Sequence, residues 1–165
     1  PLVDQCGRVV GINTIGLAGL SLFIDSFLAM SIVPDFTDQN ISKINVDPSL
    51  SPEDAVKAFY TYLKARRMQD GFNLLSREYL KMTNFTEWTN RFLDILDVDV
   101  IKSEREKYSD NSVFVKFMTK NWVDNEVEVH NYEGTWRTVK EDGVYKMLSS
   151  YILEVEDPEW NWYYE

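Results

Sequence analysis

His130 is the single histidine of the chain, and it stands in the run Glu128-Val129-His130-Asn131-Tyr132. Imidazole titrates near neutrality, and a carboxylate two residues away on one strand face can orient it. Glu128, His130 and Tyr132 therefore allow general acid–base work. Trp136 shares their parity, with Gly134 between as the expected point of disturbance. The same parity class contains Glu126, which marks a wet face, so the ordinary reading of His130 is a surface or core histidine. Other chemistry has little to build on. One histidine and one cysteine, Cys6, supply no zinc-binding set, and the acids nowhere form a D-x-D-x-D-G loop. The expected metal and cofactor complement is none.

These residues have to be positioned by the stretch from Asp124 to Val155, which reads as a long strand, a turn at Glu141-Asp142-Gly143 and a long strand back. Asp-Gly between alternating runs signals a tight hairpin. Plain alternation puts Tyr145, Met147, Ser149, Tyr151, Leu153 and Val155 on one face of the return strand. Lys146, Ser150 and Glu154, with Val144, Leu148 and Ile152, take the other. Upstream, Val113, Val115 and Phe117 alternate in another strand that turns at Asp124-Asn125. A charged strand runs from Val98 to Tyr108, with a turn at Ser109-Asp110-Asn111.

Three helices precede these strands. Ser51 caps the first, with Pro52 at its first position and acids in its first turn; Val56, Phe59, Tyr60 and Leu63 keep helical spacing to Arg66-Arg67. Asp70-Gly71 is expected to break it before a short helix from Phe72 to Leu80. Thr86 is expected to cap a third, with Trp88, Phe92, Ile95 and Leu96 on one side and Asp97 ending it. Helices followed by a four-stranded antiparallel meander make an α+β domain.

The chain has 165 residues, 44% of them hydrophobic and 14% aromatic, enough for a core. Its net charge of −10 opposes phosphate backbones, so nucleic acid is excluded as a partner class. Arg66, Arg67, Arg77 and Lys81 read as solvated helix ends rather than a basic patch. Ile15 to Val33 approaches membrane-spanning length, but Asp25 near its centre and its glycines and serines argue against a span. Pro34 to Leu50 is polar and bounded by prolines, a linker. Asn40-Ile41-Ser42 and Asn84-Phe85-Thr86 are glycosylation sequons of a kind common by chance.

Two stretches resemble known families. Pro1 to Thr14, P-L-V-D-Q-C-G-R-V-V-G-I-N-T, resembles the segment of HtrA-type trypsin-like serine peptidases that follows G-[ND]-S-G-G, and Gly19 to Ser26, G-L-S-L-F-I-D-S, resembles their closing strand, with Asp25 where that family has Pro. The resemblance implies that residues 1–33 are the C-terminal strands of such a peptidase and that the nucleophile, histidine and aspartate lie upstream, the chain being an excised piece without catalytic residues of its own. Asn13, Thr14, Ile15, Leu20 and Ser21 would then belong to the substrate pocket of the complete peptidase. An exported or periplasmic parent is implied by this resemblance alone.

Ser51 to Leu63, S-P-E-D-A-V-K-A-F-Y-T-Y-L, and Thr135 to Met147, T-W-R-T-V-K-E-D-G-V-Y-K-M, resemble the nuclear-transport-factor-2-like cone fold shared by SnoaL-type cyclases and ketosteroid isomerases. The resemblance implies that residues 51–165 enclose a conical pocket, for which Tyr60, Trp88, His130, Tyr132, Trp136 and Tyr145 are the candidates. The expected function is a non-catalytic accessory domain that binds a peptide, a protein partner or a small ligand. The alternatives are an isomerase- or cyclase-like enzyme and a homodimerisation module. The acidic, aromatic end Glu154 to Glu165 either folds back over the sheet or offers Trp160, Trp162, Tyr163 and Tyr164 as an interaction strip.

Overall fold

Two short polar pairs between alternating apolar runs decide the sheet of this chain. The computed structural model describes residues 2–3, 9–17, 20–25 and 45–164, and the chain divides into two compact units, Pro1–Asn45 and Val46–Glu165. In the first, β1 (Leu2–Val3), β2 (Val9–Leu17) and β3 (Leu20–Asp25) form an antiparallel sheet in that order. Asn13, Thr14 and Ile15 lie on β2 and Leu20 and Ser21 on β3, with Ile15 opposite Leu22 and Gly16 opposite Ser21. The apolar run weighed as a span is thus strand at 15–17 and 20–25. No helix among the described residues is long and apolar enough to cross a membrane. Cys6, the Asn40 sequon and most of the 34–50 linker lie outside the described residues.

In the second unit, α1 (Pro52–Lys64) starts as its sequence directs: the Ser51 hydroxyl accepts from the Asp54 N–H at 3.1 Å, and Glu53 and Asp54 occupy the positive end of the helix dipole. Ala55, Val56, Ala58, Phe59, Tyr60 and Leu63 are buried. The next helices differ from expectation. Asp70-Gly71 does not break the chain but lies inside α2 (Met68–Asn73), where Gly71 fits against Trp88. A 3-10 turn follows at Tyr79–Lys81. The helix α3 covers only Phe85–Asn90 and is capped by the Asn84 side chain on the Glu87 N–H at 3.0 Å, not by Thr86. Ile95 and Leu96, expected in that helix, begin strand β4 (Ile95–Arg105), which also ends before Tyr108. A short apolar run fits both periods, and pairing of Ile95 with Asn121 decides it.

Strands β4, β5 (Ser112–Val123), β6 (Glu126–Glu141) and β7 (Val144–Glu154) form one antiparallel sheet in chain order. Both tight hairpins are two-residue turns with positive φ at each central position: Asp124 (47°) and Asn125 (68°), then Asp142 (51°) and Gly143 (84°). That is the turn whose twist matches the strands it joins. Val113, Val115, Phe117 and Thr119 of β5 face the helices and are buried, with Trp136 and Thr138 of β6 and Met147 of β7. The outer edge of β7 is covered where Ser76 donates to the Met147 carbonyl at 2.9 Å and Met147 to the Leu74 carbonyl at 2.7 Å.

Plain alternation fails on β7. The register jumps from Arg137↔Ser149 to Thr138↔Met147, leaving Leu148 as an extra residue. This bulge exchanges the faces. Below it Met147 points to the helices; above it Ser150, Ile152 and Glu154 do, opposite Trp136, Gly134 and Tyr132. Tyr151 and Leu153, grouped with Met147 by parity, are exposed on the other side. Gly134, expected to disturb β6, does not: its pairing with β5 runs without a shift from Arg137 to Glu126.

Candidate functional site

A cavity of about 180 Å³ lies between the helices and the sheet. Its walls follow from the sequence periods. Phe59 and Leu63 come one helical turn apart on α1, Trp88 and Phe92 one turn apart at α3, and Trp136 and Ile152 from neighbouring strands, Trp136 opposite Ser150 and Ile152 opposite Gly134. The rings lock one another edge to face, with centroids 5.4 Å apart for Phe59 and Trp136 and 4.8 Å for Trp88 and Phe92.

Polar side chains reach this apolar space from Tyr60, Tyr79, Thr119, Arg91 and Ser150. The Trp136 indole N–H donates to the Tyr60 hydroxyl at 2.9 Å. Burial pushes the Tyr60 phenol up, only partly countered by that donated bond, so it remains neutral. The indole occupies an oxygen lone pair and leaves the phenolic proton without an acceptor among the described residues. The Thr119 hydroxyl is buried and unpartnered. The Thr119 hydroxyl in turn acts on the Tyr132 phenol, weakly opposing the upward push of burial and of Glu154. Arg91, at the C-terminal cap of α3, has one polar contact among the described residues, the Thr83 hydroxyl at 3.5 Å. Tyr79, Arg91 and Ser150 also line a shallower cleft with Met82, Thr83 and Ser149, so the apolar cavity adjoins a polar one. Among the described residues neither space is lined by a carboxylate or an imidazole.

Of the six candidate pocket residues, Tyr60, Trp88 and Trp136 line the cavity. Three do not. Tyr132 stacks on Phe117 at 5.1 Å, farther along β6 from Trp136. Tyr145 lies beyond the bulge, with the Lys140 ammonium 4.8 Å over its ring and its N–H bonded to the Pro48 carbonyl. His130 shares the helix-side face but extends past the helices. Its Nδ1 is 2.6 Å from a Glu154 oxygen and its Nε2 is 3.4 Å from Glu128. His130 and Glu154 line a separate open cleft with Asn131, Glu156, Asp157 and Tyr163. Parity correctly groups Glu128, His130 and Tyr132, but the helices cover the strand only around Trp136. Thr119 extends the Val113-Val115-Phe117 alternation and was legible on that ground. Ser150 was hidden by the bulge, and nothing in its local sequence marks Arg91.

No family model and no curated protein matches the chain. Solved structures similar to it include a SEC-C motif containing protein from Rhodopseudomonas palustris, at 11% identity over 73% of this chain and 88% of that one, with a TM-score of 0.48. A ketosteroid isomerase-like protein from Erwinia carotovora atroseptica is 11% identical over 67% of this chain and 98% of that one, with a TM-score of 0.48. A SEC-C motif containing protein from Psychrobacter arcticus is 11% identical over 82% and 75%, again with a TM-score of 0.48.

Proposed function

We propose that Val46–Glu165 is a cone-fold binding domain that takes a small ligand in the cavity between its helices and sheet without transforming it. The observation that carries this reading is the lining itself: an apolar space with two buried hydroxyls and, among the described residues, no acid or imidazole. Isomerase- or cyclase-like chemistry needs a group that accepts a proton near neutrality. The neutral Tyr60 phenol and the Arg91 guanidinium do not provide one, and His130 faces a different cleft. The domain is then an accessory one. Its attachment to a trypsin-like serine peptidase rests on the sequence resemblance of Pro1–Ser26 alone, and peptidase chemistry would belong to the parent.

The size of the cavity sets the ligand. An apolar cavity of about 150 Å³ accommodates a single benzene ring. Titrating the full chain with 3-phenylpropan-1-ol, a neutral single-ring probe, is expected to move the Trp136 indole N–H resonance and raise the melting temperature. A resonance that stays fixed at millimolar probe would overturn the binding reading.

A second reading, contact with a protein or peptide partner or a second copy, is favoured by the exposure of Trp160, Tyr164 and Tyr151. Sedimentation velocity over a wide concentration range tests self-association, and a concentration-independent monomer opposes it.

A further inference from the structure

We infer that the ligand of this cavity is a small carboxylate amphiphile: a single-ring or branched apolar body lodged among the aromatic walls, with its anionic head at Arg91. The inference rests on the binding reading above and adds the chemistry of the head group.

Charge carries it. The chain holds 27 acids against 17 lysines and arginines, so a surface taken at random is negative. The cavity and its adjoining cleft depart from that, because the charged side chain common to both linings is Arg91 and no acid lines either space among the described residues. The guanidinium keeps its charge at any working pH and offers a planar fork of donors that matches a carboxylate in two places at once. Its one described polar contact, to Thr83 at 3.5 Å, uses little of that capacity. Ser150 lines the same opening and supplies a further hydroxyl donor. On a chain of this net charge, an exposed cation at the mouth of the cavity is a local point of attraction for an anion.

The cavity is also built to hold something polar at depth. Thr119 is 4% exposed, its hydroxyl has no partner, and it lines the cavity but not the cleft. A buried hydroxyl left unpaired is costly unless a ligand or water satisfies it. The Tyr60 proton is in the same position. A ligand whose body carries a hydroxyl distal to the carboxylate meets these groups as well as Arg91.

Calorimetric titration of the full 165-residue chain with 3-phenylpropionate and with its neutral analogue 3-phenylpropan-1-ol tests the assignment. The acid is expected to bind about ten- to a hundredfold more tightly than the alcohol, the range of a hydrogen bond to a charged group. Arg91→Gln is expected to abolish that preference, with the melting temperature near wild type. Arg137→Gln, an exposed cation outside the cavity lining, is expected to retain the preference. Equal affinities for acid and alcohol would overturn the anionic head group and leave the binding domain standing. A preference that survives Arg91→Gln would overturn the role of Arg91. Failure of both probes to bind would remove the binding reading and this inference with it. A further probe, 3-(4-hydroxyphenyl)propionate, is expected to gain over 3-phenylpropionate in the wild type and to lose that gain in Thr119→Val.

Discussion

At Gly134 the backbone of β7 leaves no room for a side chain on β6. A Cβ added there would lie 2.1 Å from the Tyr151 carbonyl oxygen and 2.6 Å from the Ile152 Cα, both backbone atoms that cannot swing away. Gly134→Ala is therefore expected to cost about 3 kcal/mol, at the upper end for an overpacked site, because relief requires separating two paired strands. The midpoint of urea unfolding measures it; a variant as stable as wild type would mean that the strands do not approach this closely. The residue scale also explains His130. Its neighbours are those alternation foresees, yet its chemistry is shaped by Glu154, which arrives from 24 residues away. Glu154 and Glu128 flank the imidazole at the rim of an open cleft, away from the cavity between helices and sheet.

Among the elements, the C-terminal 3-10 turn Trp160–Tyr163 answers a question that its composition leaves open. Lys116 and Glu133 oppose each other on the sheet face turned away from the helices. Trp162 lies over them, its indole N–H donating to Glu133 at 2.8 Å and its ring 5.5 Å from the Lys116 ammonium. So Trp162 folds back onto the sheet while Trp160 and Tyr164 stay outside, 77% and 81% exposed. Trp162→Ala is expected to cost about 2–3 kcal/mol, less than a tryptophan enclosed on every side. Trp160→Ala should leave thermal unfolding unchanged. Equal effects of the two substitutions would contradict a docked tail. The bulge at Leu148 belongs to this scale too: one inserted residue moves Ser150 and Ile152 into the cavity and turns Tyr151 out.

Across the second unit, the first turn of α1 is tied to the far end of β4 by Arg105, whose guanidinium is 2.9 Å from the Glu53 carboxylate. Burial alone would raise the Glu53 carboxyl, but the Arg105 hydrogen bond and charge, with the backbone and Ser51 donors, carry it below its ordinary range. A carboxyl lowered by folding stabilises the fold above its unfolded pKa of about 4.3, and that contribution disappears as pH falls through the lower folded value. Arg105→Ala is thus expected to reduce the melting temperature modestly at neutral pH, as for an exposed pair. The gap should close as pH drops below about 4. A gap of constant size down to strong acid would show that Arg105 acts through packing rather than charge.

Local chemistry was enough for several features that one or two adjacent residues determine, though not for the expected Thr86 cap or the Asp70-Gly71 break. The Ser51 cap and Pro52 start a helix, and Asp124-Asn125 and Asp142-Gly143 supply the positive φ of two hairpins. The strict alternation of Val113, Val115 and Phe117 sets the buried face of β5. These features need no distant partner, because backbone sterics and strand parity act within a few residues. The remainder depended on atoms far apart in the chain. Ile95 is strand because Asn121 is there to pair with it, and β7 changes face because its register against β6 admits an extra residue. Arg91 adjoins a cavity only because the end of α3 comes to rest on the sheet face that Ser150 and Ile152 share. Pairing, bulging and burial are long-range contacts, and their free energies decide between local alternatives that differ by little.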